Sequence, residues 1–264
     1  MLLDKLIWPN VVLLYPFVLS IGLILHVLVP EQVQDQLKQH VYFFNSKNVL
    51  NQVFAYKGNL VWTVLFLYIA VLSYFIKTMS RDPLEQRAGG RQVDWQIVRQ
   101  YCWKLLLKNG LLYLCFLVID GVFIATGGVC TTMGGEMRKI RSAESCKWNG
   151  GQWENGFDIS GHFCFLMNIS LILWAELQLL QDAIRREELG EEELNLWICY
   201  KWLRHGLTAV KITLYIWLFL LFVTASFYHT SSEKLIGCAF GYVCPFVMYH
   251  LIPTSPRLNE FFYG

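Results

Sequence analysis

Six apolar stretches govern what this chain can fold into. Ile7–Val29 carries no Lys, Arg, Asp or Glu, and Leu60–Ile76 is a second such run. Leu111–Ala125 is interrupted only by Asp120 and extends backward over Leu105–Leu107. His162–Leu180 contains Glu176, Leu207–Tyr228 contains Lys211, and Leu235–Ile252 is uncharged. Each approaches the roughly 20 residues that cross about 30 Å of hydrocarbon at 1.5 Å per residue. Charged residues make up only 16% of the chain, against about 25% in a typical soluble domain. Aromatic residues also reach 16%, the reverse of a disordered composition. The formal charge of +2 is too small and too dispersed for a nucleic-acid binder.

The expected fold is therefore an all-α integral membrane protein. It forms a single domain over 1–264, with helices near 7–29, 60–76, 105–125, 162–180, 207–228 and 235–252. A barrel is excluded, since barrel strands alternate apolar and polar residues and these runs do not. The first run reads as an uncleaved span, because His26-Val-Leu-Val-Pro30 is not a small-residue cleavage site.

Six spans place both termini on one side. The second and fourth connections hold ten Lys and Arg, while the first, third and fifth hold eight. Lys5 and Arg257 join the larger group. This bias favours cytosolic termini. Cysteines supply a second vote. Six of the eight sit in or beside apolar runs, where a thiol behaves as a small hydrophobe. Cys130 and Cys146 share the polar third connection. They read as a disulfide if that loop faces an oxidising lumen, and otherwise as two free thiols. No CxxC, HxxxH or His-rich tract offers a metal site.

This topology sorts the six histidines. His162 opens the fourth span and His229 closes the fifth on the same side as the cysteine loop, whereas His205 and His250 fall on the other. Gly150-Gly-Gln-Trp-Glu-Asn-Gly-Phe-Asp-Ile-Ser-Gly-His162 leads directly into a helix. A glycine-containing turn at a helix start presents N–H groups and a positive dipole end to an anion. Ser160 can cap that helix or donate to a phosphate. Glu233, four residues beyond His229, can reach the imidazole and hold its tautomer. Each histidine alone reads as an interfacial residue; together they point to phosphate chemistry. Asp120, near the depth of His162, is either functional or a helix-to-helix hydrogen bond. Glu176 and Lys211 read as an ion pair between antiparallel helices. Asn168 in Asn-Ile-Ser matches a glycosylation pattern but lies inside a span.

The segment Phe157-Asp-Ile-Ser-Gly-His162-Phe resembles the signature of the fat storage-inducing transmembrane (FIT) family. Ser46-Lys-Asn-Val-Leu-Asn-Gln-Val-Phe54, Val61-Trp-Thr63 and Thr224-Ala-Ser-Phe-Tyr-His229 with Glu233-Lys234 match it as well. Gly127-Gly-Val-Cys130, His162-Phe-Cys-Phe-Leu166, Ile172-Leu-Trp-Ala-Glu176 and Tyr249-His-Leu-Ile-Pro253 resemble its fungal, budding-yeast branch. The resemblance runs from about Asn45 to the C-terminus.

It implies a six-span protein of the endoplasmic reticulum membrane that supports lipid droplet formation, with cytosolic termini and a lumenal active site. It also implies a likeness to lipid phosphate phosphatases, through Ser160-Gly161-His162 and His229…Glu233. The implied activity is acyl-coenzyme A diphosphatase, which yields acyl 4′-phosphopantetheine and adenosine 3′,5′-bisphosphate and needs no cofactor. In that reading His229 is the nucleophile and His162 the acid, supported by Asp158, Ser160, Gly161, Glu233 and Asp120. The chain departs from the phosphatases in two places. No Lys…Arg-Pro motif is present, and Val223 stands where an arginine is expected six residues before His229. Lys234, Lys47, Arg138, Lys139 and Arg141 are the candidates for neutralising phosphate. The alternative is a non-enzymatic protein that holds diacylglycerol or triacylglycerol and promotes droplet budding.

Overall fold

The computed structural model describes residues 8–79, 94–131, 137–138, 140, 142–186 and 199–264. Lys139 and Arg141 lie outside them, as does the side chain of Arg138. Among the described residues, six helical segments are long and apolar enough to cross a membrane. They are α1 (Trp8–Leu28), α3 (Gly58–Met79), α4 (Trp95–Ala125), α6 (Gly161–Arg186), α7 (Cys199–Phe227) and a composite sixth segment. That sixth segment joins α8 (Ser231–Gly241), α9 (Val243–Phe246), a π-helical turn (Val247–Leu251) and α10 (Ile252–Thr254). A short α2 (Glu31–His40) follows α1, and α11 (Pro256–Tyr263) ends the chain.

The bundle is organised around α6. Over Gly161–Ile184 it is 83% buried, against 22–39% for the other spans. Its sequence explains this: Phe163, Leu166, Met167, Ile169, Leu171 and Leu173 point apolar side chains to every side, so little of its surface is left for lipid or water. Small residues let the neighbours close in. A Cβ added at Gly22 of α1 would lie 2.2 Å from Ala225 Cβ of α7. One added at Gly237 of α8 would lie 2.6 Å from the Ser160 carbonyl at the start of α6. Such close approach is what drives helix association where lipid is as apolar as the side chains.

The third span differs from the sequence expectation. It begins at Trp95, ten residues before the expected 105, with the Asp94 carboxylate accepting from the Gln96 and Ile97 N–H groups. Lys104 stands at the expected boundary, yet it lies inside the helix and is buried, as is Lys108 within the expected span. This corrects the expected Glu176–Lys211 pair. Glu176 is fully buried, and its Oε1 accepts from Lys104 Nζ at 2.5 Å and from Tyr249 OH at 2.5 Å. The partner thus comes from α4, whose early start carries Lys104 to the depth of Glu176.

The connection between α4 and α6 is not wholly irregular. It holds a three-stranded antiparallel sheet in the order β2-β1-β3, from β1 (Val129–Thr131), β2 (Met137–Arg138) and β3 (Gln152–Glu154), with a short helix α5 (Ala143–Trp148). The Cys130–Cys146 disulfide, spanning 16 residues, ties β1 to α5, and both cysteines are fully buried. Trp153 stacks on Phe123 at 4.2 Å, seating the sheet on the end of α4. A closed loop of this length stabilises by about 3 kcal/mol. Cys130→Ser and Cys146→Ser should each lose about that amount, and the double variant no more, in thermal unfolding of the detergent-solubilised protein.

Candidate active site

The end of α7 and the start of α8 are joined by a turn of only three residues, and His229 sits in it with φ +57°. That left-handed backbone costs a non-glycine residue on the order of 1–3 kcal/mol and persists only where its surroundings enforce it. Thr230 enforces it as the N-cap of α8. Its Oγ1 accepts from the Glu233 N–H, and its own N–H donates to Glu233 Oε2 at 2.8 Å, a reciprocal capping box.

Glu233 also reaches across to the other histidine's helix. Its Oε1 accepts from the Asp158 N–H at 3.0 Å, and its carbonyl accepts from the Ser160 N–H at 3.2 Å. One residue therefore fastens the Asp158–Ser160 segment, which leads into α6, to the turn that carries His229. His162 is the second residue of α6. Both histidines consequently line the same cavity of about 160 Å³.

Two carboxylates approach His229 on one ring nitrogen. Asp158 Oδ2 lies 3.6 Å and Glu233 Oε2 3.8 Å from Nδ1. These distances suit an ion pair with the imidazolium. Directed to Nδ1, they leave Nε2 as the nitrogen that does not face an acid. The two acids differ in duty. Both Glu233 oxygens already accept backbone N–H groups, whereas the Asp158 side chain is 49% exposed. Burial raises the Asp158 carboxyl above its usual range, opposed by His229 and reinforced by Glu233.

That shift has a sign. Between the ordinary and the raised pKa the folded chain binds more protons than the unfolded one, so stability falls as pH rises through this window. Asp158→Asn should remove that loss, raising the thermal midpoint at pH 7 relative to wild type while lowering kcat. A variant that loses both would mean that Asp158 is structural only.

The remaining expected residues are placed as follows. Ser160 is fully buried, and its Oγ accepts from the Phe163 N–H at 3.4 Å, so it caps α6. Gly161 packs beside Phe116, where an added Cβ would lie 3.3 Å from Cε1. Asp120 accepts from the Ala143 N–H at 3.3 Å, anchoring α5 of the disulfide loop, and does not line the cavity. Lys234 is fully buried and donates to the Ala225 carbonyl at 2.7 Å, near the end of α7. Lys47 is exposed. Among the described residues, the cavity lining contains no Lys or Arg.

The cavity has a third wall that the sequence reading did not assign. Asn45, Ser46, Asn48, Asn51 and Tyr56 line it from the segment between α2 and α3. Asn48 knits that segment together: its Nδ2 donates to the Phe43 and Asn45 carbonyls, and its Oδ1 accepts from the Asn51 N–H. The Phe54 carbonyl accepts from Trp217 Nε1 of α7 at 2.7 Å, holding the segment against the bundle. Tyr56 meets the His162 ring edge-on at 6.0 Å. The available signal was three asparagines within seven residues, ahead of an apolar run.

Residues 39–249 match the family model described as fat storage-inducing transmembrane protein. The chain belongs to the FIT family. This FIT chain is 36% identical to acyl-coenzyme A diphosphatase YFT2 of Saccharomyces cerevisiae, over 95% of each chain. It is 28% identical to acyl-coenzyme A diphosphatase fit1 of Schizosaccharomyces pombe, over 83% of this chain and 77% of the relative. With human acyl-coenzyme A diphosphatase FITM2 it shares 26% identity, over 76% and 68%. No solved structure matches the chain.

Proposed function

We infer that this FIT protein is an acyl-coenzyme A diphosphatase. The observation that carries the reading is that His162 and His229 line one cavity, with carboxylates on Nδ1 of His229, in a chain whose relatives bear that name. The substrate is a fatty acyl-CoA, and the bond cleaved is the P–O–P bridge. His229 Nε2 attacks one phosphorus, forming a P–N bond as the bridging P–O bond breaks. His162 gives its proton to the departing phosphate. Water then displaces the imidazole, yielding acyl 4′-phosphopantetheine and adenosine 3′,5′-bisphosphate. Splitting one displacement into two lowers each barrier, and the start of α6 contributes its partial positive charge.

The positive-inside bias and the disulfide support cytosolic termini and a site in the oxidising lumen of the endoplasmic reticulum. There the acyl chain can remain in the bilayer while the nucleotide end meets the histidines. Cleavage of acyl-CoA then links the protein to lipid droplet formation. The test is complementation of cells that lack their own FIT protein. Wild type should restore droplets, and His229→Ala, inserted at an equal level, should not. Full restoration by His229→Ala would overturn the enzymatic reading in favour of a diacylglycerol- or triacylglycerol-holding role.

A further inference from the structure

His229 lines two cavities. Besides the one shared with His162, it borders a larger cavity of about 450 Å³ between the end of α1, α2 and the end of α7. The wall between them is well defined. Phe44 lines the first and Phe227 the second, and their rings meet at 4.7 Å, tilted 30° to each other. Tyr228 lines the first cavity, its OH bonded to the Phe44 carbonyl, while Lys38 of the second lies 5.9 Å from the Tyr228 ring. Among the described lining residues, His229 is the one common to both.

The cavities differ in size and chemistry. Pockets that take a drug-sized molecule run from about 300 to 1,000 Å³. At about 450 Å³ the second cavity is in that range, whereas the first, at about 160 Å³, admits a slender chain and not a nucleoside. Within the first, the amide and hydroxyl groups of Asn45, Ser46 and Tyr56 stand beside Leu220 and Val223, with no Lys or Arg among the described lining residues. The second is lined by His26, Glu31, Gln34, Asp35 and Lys38. Its wall is held in place: Gln34 is buried and donates to the His26 and Val29 carbonyls, and His26 Nδ1 donates to the Ser226 carbonyl.

We propose that acyl-CoA threads this wall at His229, its pantetheine arm in the first cavity and its adenosine 3′,5′-bisphosphate arm in the second, where Lys38 receives the 3′-phosphate. The proposal rests on the diphosphatase reading. Amide and hydroxyl side chains suit the uncharged pantetheine arm, and among the described lining residues the larger cavity holds a cation, Lys38, where the first has none. Glu31 and Asp35 can accept from the adenine amine and the ribose hydroxyl. Asp35 also competes for the lysine, its Oδ1 lying 2.6 Å from Lys38 Nζ. Glu31, Asp35 and Lys38 all precede the segment matched by the family model, so this wall is built outside it.

The experiment compares oleoyl-CoA with oleoyl-3′-dephospho-CoA on the purified full chain. Lys38 is partly exposed on a short surface helix, so its substitution leaves the bundle intact. Lys38→Ala should raise KM for oleoyl-CoA about tenfold, the loss of one charge-assisted contact, with kcat near wild type. It should also erase the wild-type preference for the 3′-phosphorylated substrate, which Lys38→Arg should keep. Asp35→Asn should lower KM by freeing the lysine, and His40→Ala, on the same helix outside the cavity, should match wild type. A Lys38→Ala enzyme that keeps the wild-type KM and preference overturns the two-cavity arrangement while leaving the diphosphatase intact. A wild type that releases no nucleotide from either substrate removes both.

Discussion

His162→Ala and His229→Ala should each reduce oleoyl-CoA hydrolysis at least about 10²-fold, and the double variant should fall little below the worse single. A positioned proton donor contributes about 10²–10⁴-fold, and residues that act as one unit are not additive. Both variants should fold and insert, because neither ring belongs to the packed core. His162 stands at the start of α6 and His229 in a surface turn. His229→Ala removes an imidazole from a left-handed position without touching the capping box, which is built by Thr230 and Glu233. His250→Ala is the matched control, since His250 is exposed on the far end of the sixth span. Loss of activity in His250→Ala with retention in His229→Ala would mean that the site is at the opposite end of the bundle.

The largest effect on stability is expected at Glu176. It is fully buried, with Lys104 and Tyr249 on Oε1 and, among the described residues, no hydrogen-bond partner on Oε2. Lys104→Met leaves that carboxylate without its cation and should cost about 3–5 kcal/mol, the range for breaking a buried pair from one side. The Lys104→Met/Glu176→Gln double variant should recover most of the loss, because removing both charges also removes the penalty of burying them. Thermal unfolding in detergent reads both. Glu176 lies fourteen residues from His162 along α6, about 21 Å at 1.5 Å per residue, so turnover per folded molecule should not change. A single variant as stable as the double would show that Glu176 does not depend on Lys104.

Apolar run length was enough to locate all six spans, because no other structure satisfies the backbone of such runs in lipid. It misjudged the start of α4 because Lys104, with the charged residues before it, looks like a boundary when counted by composition. Only the packed bundle shows that Lys104 meets Glu176 and that Lys108 is held by Asn59 and the face of Trp62. Cys130 and Cys146 were legible as a pair because they share one polar loop, although the sheet around them had no signal stronger than a few glycines and short β-prone runs.

Of the candidate site, the two histidines on one side of the bundle were legible and the walls around them were not. His162 and His229 followed from topology, and Glu233 from its four-residue spacing. The sequence assigned Glu233 to the imidazole; the structure gives its oxygens to two backbone N–H groups and brings Asp158 slightly closer to Nδ1. Asn45, Asn51 and Tyr56 escaped because neutral polar residues leave no charge or periodic pattern to read. Lys38 escaped because α2 reads as an ordinary solvated helix until α1 and α7 are packed beside it.

The central claim is tested most directly by identifying what the purified protein makes from oleoyl-CoA. Mass spectrometry of the reaction should show oleoyl 4′-phosphopantetheine and adenosine 3′,5′-bisphosphate in equal amounts, both missing with His229→Ala. Release of free oleate and intact coenzyme A, or an unchanged substrate after incubation with folded protein, would contradict it.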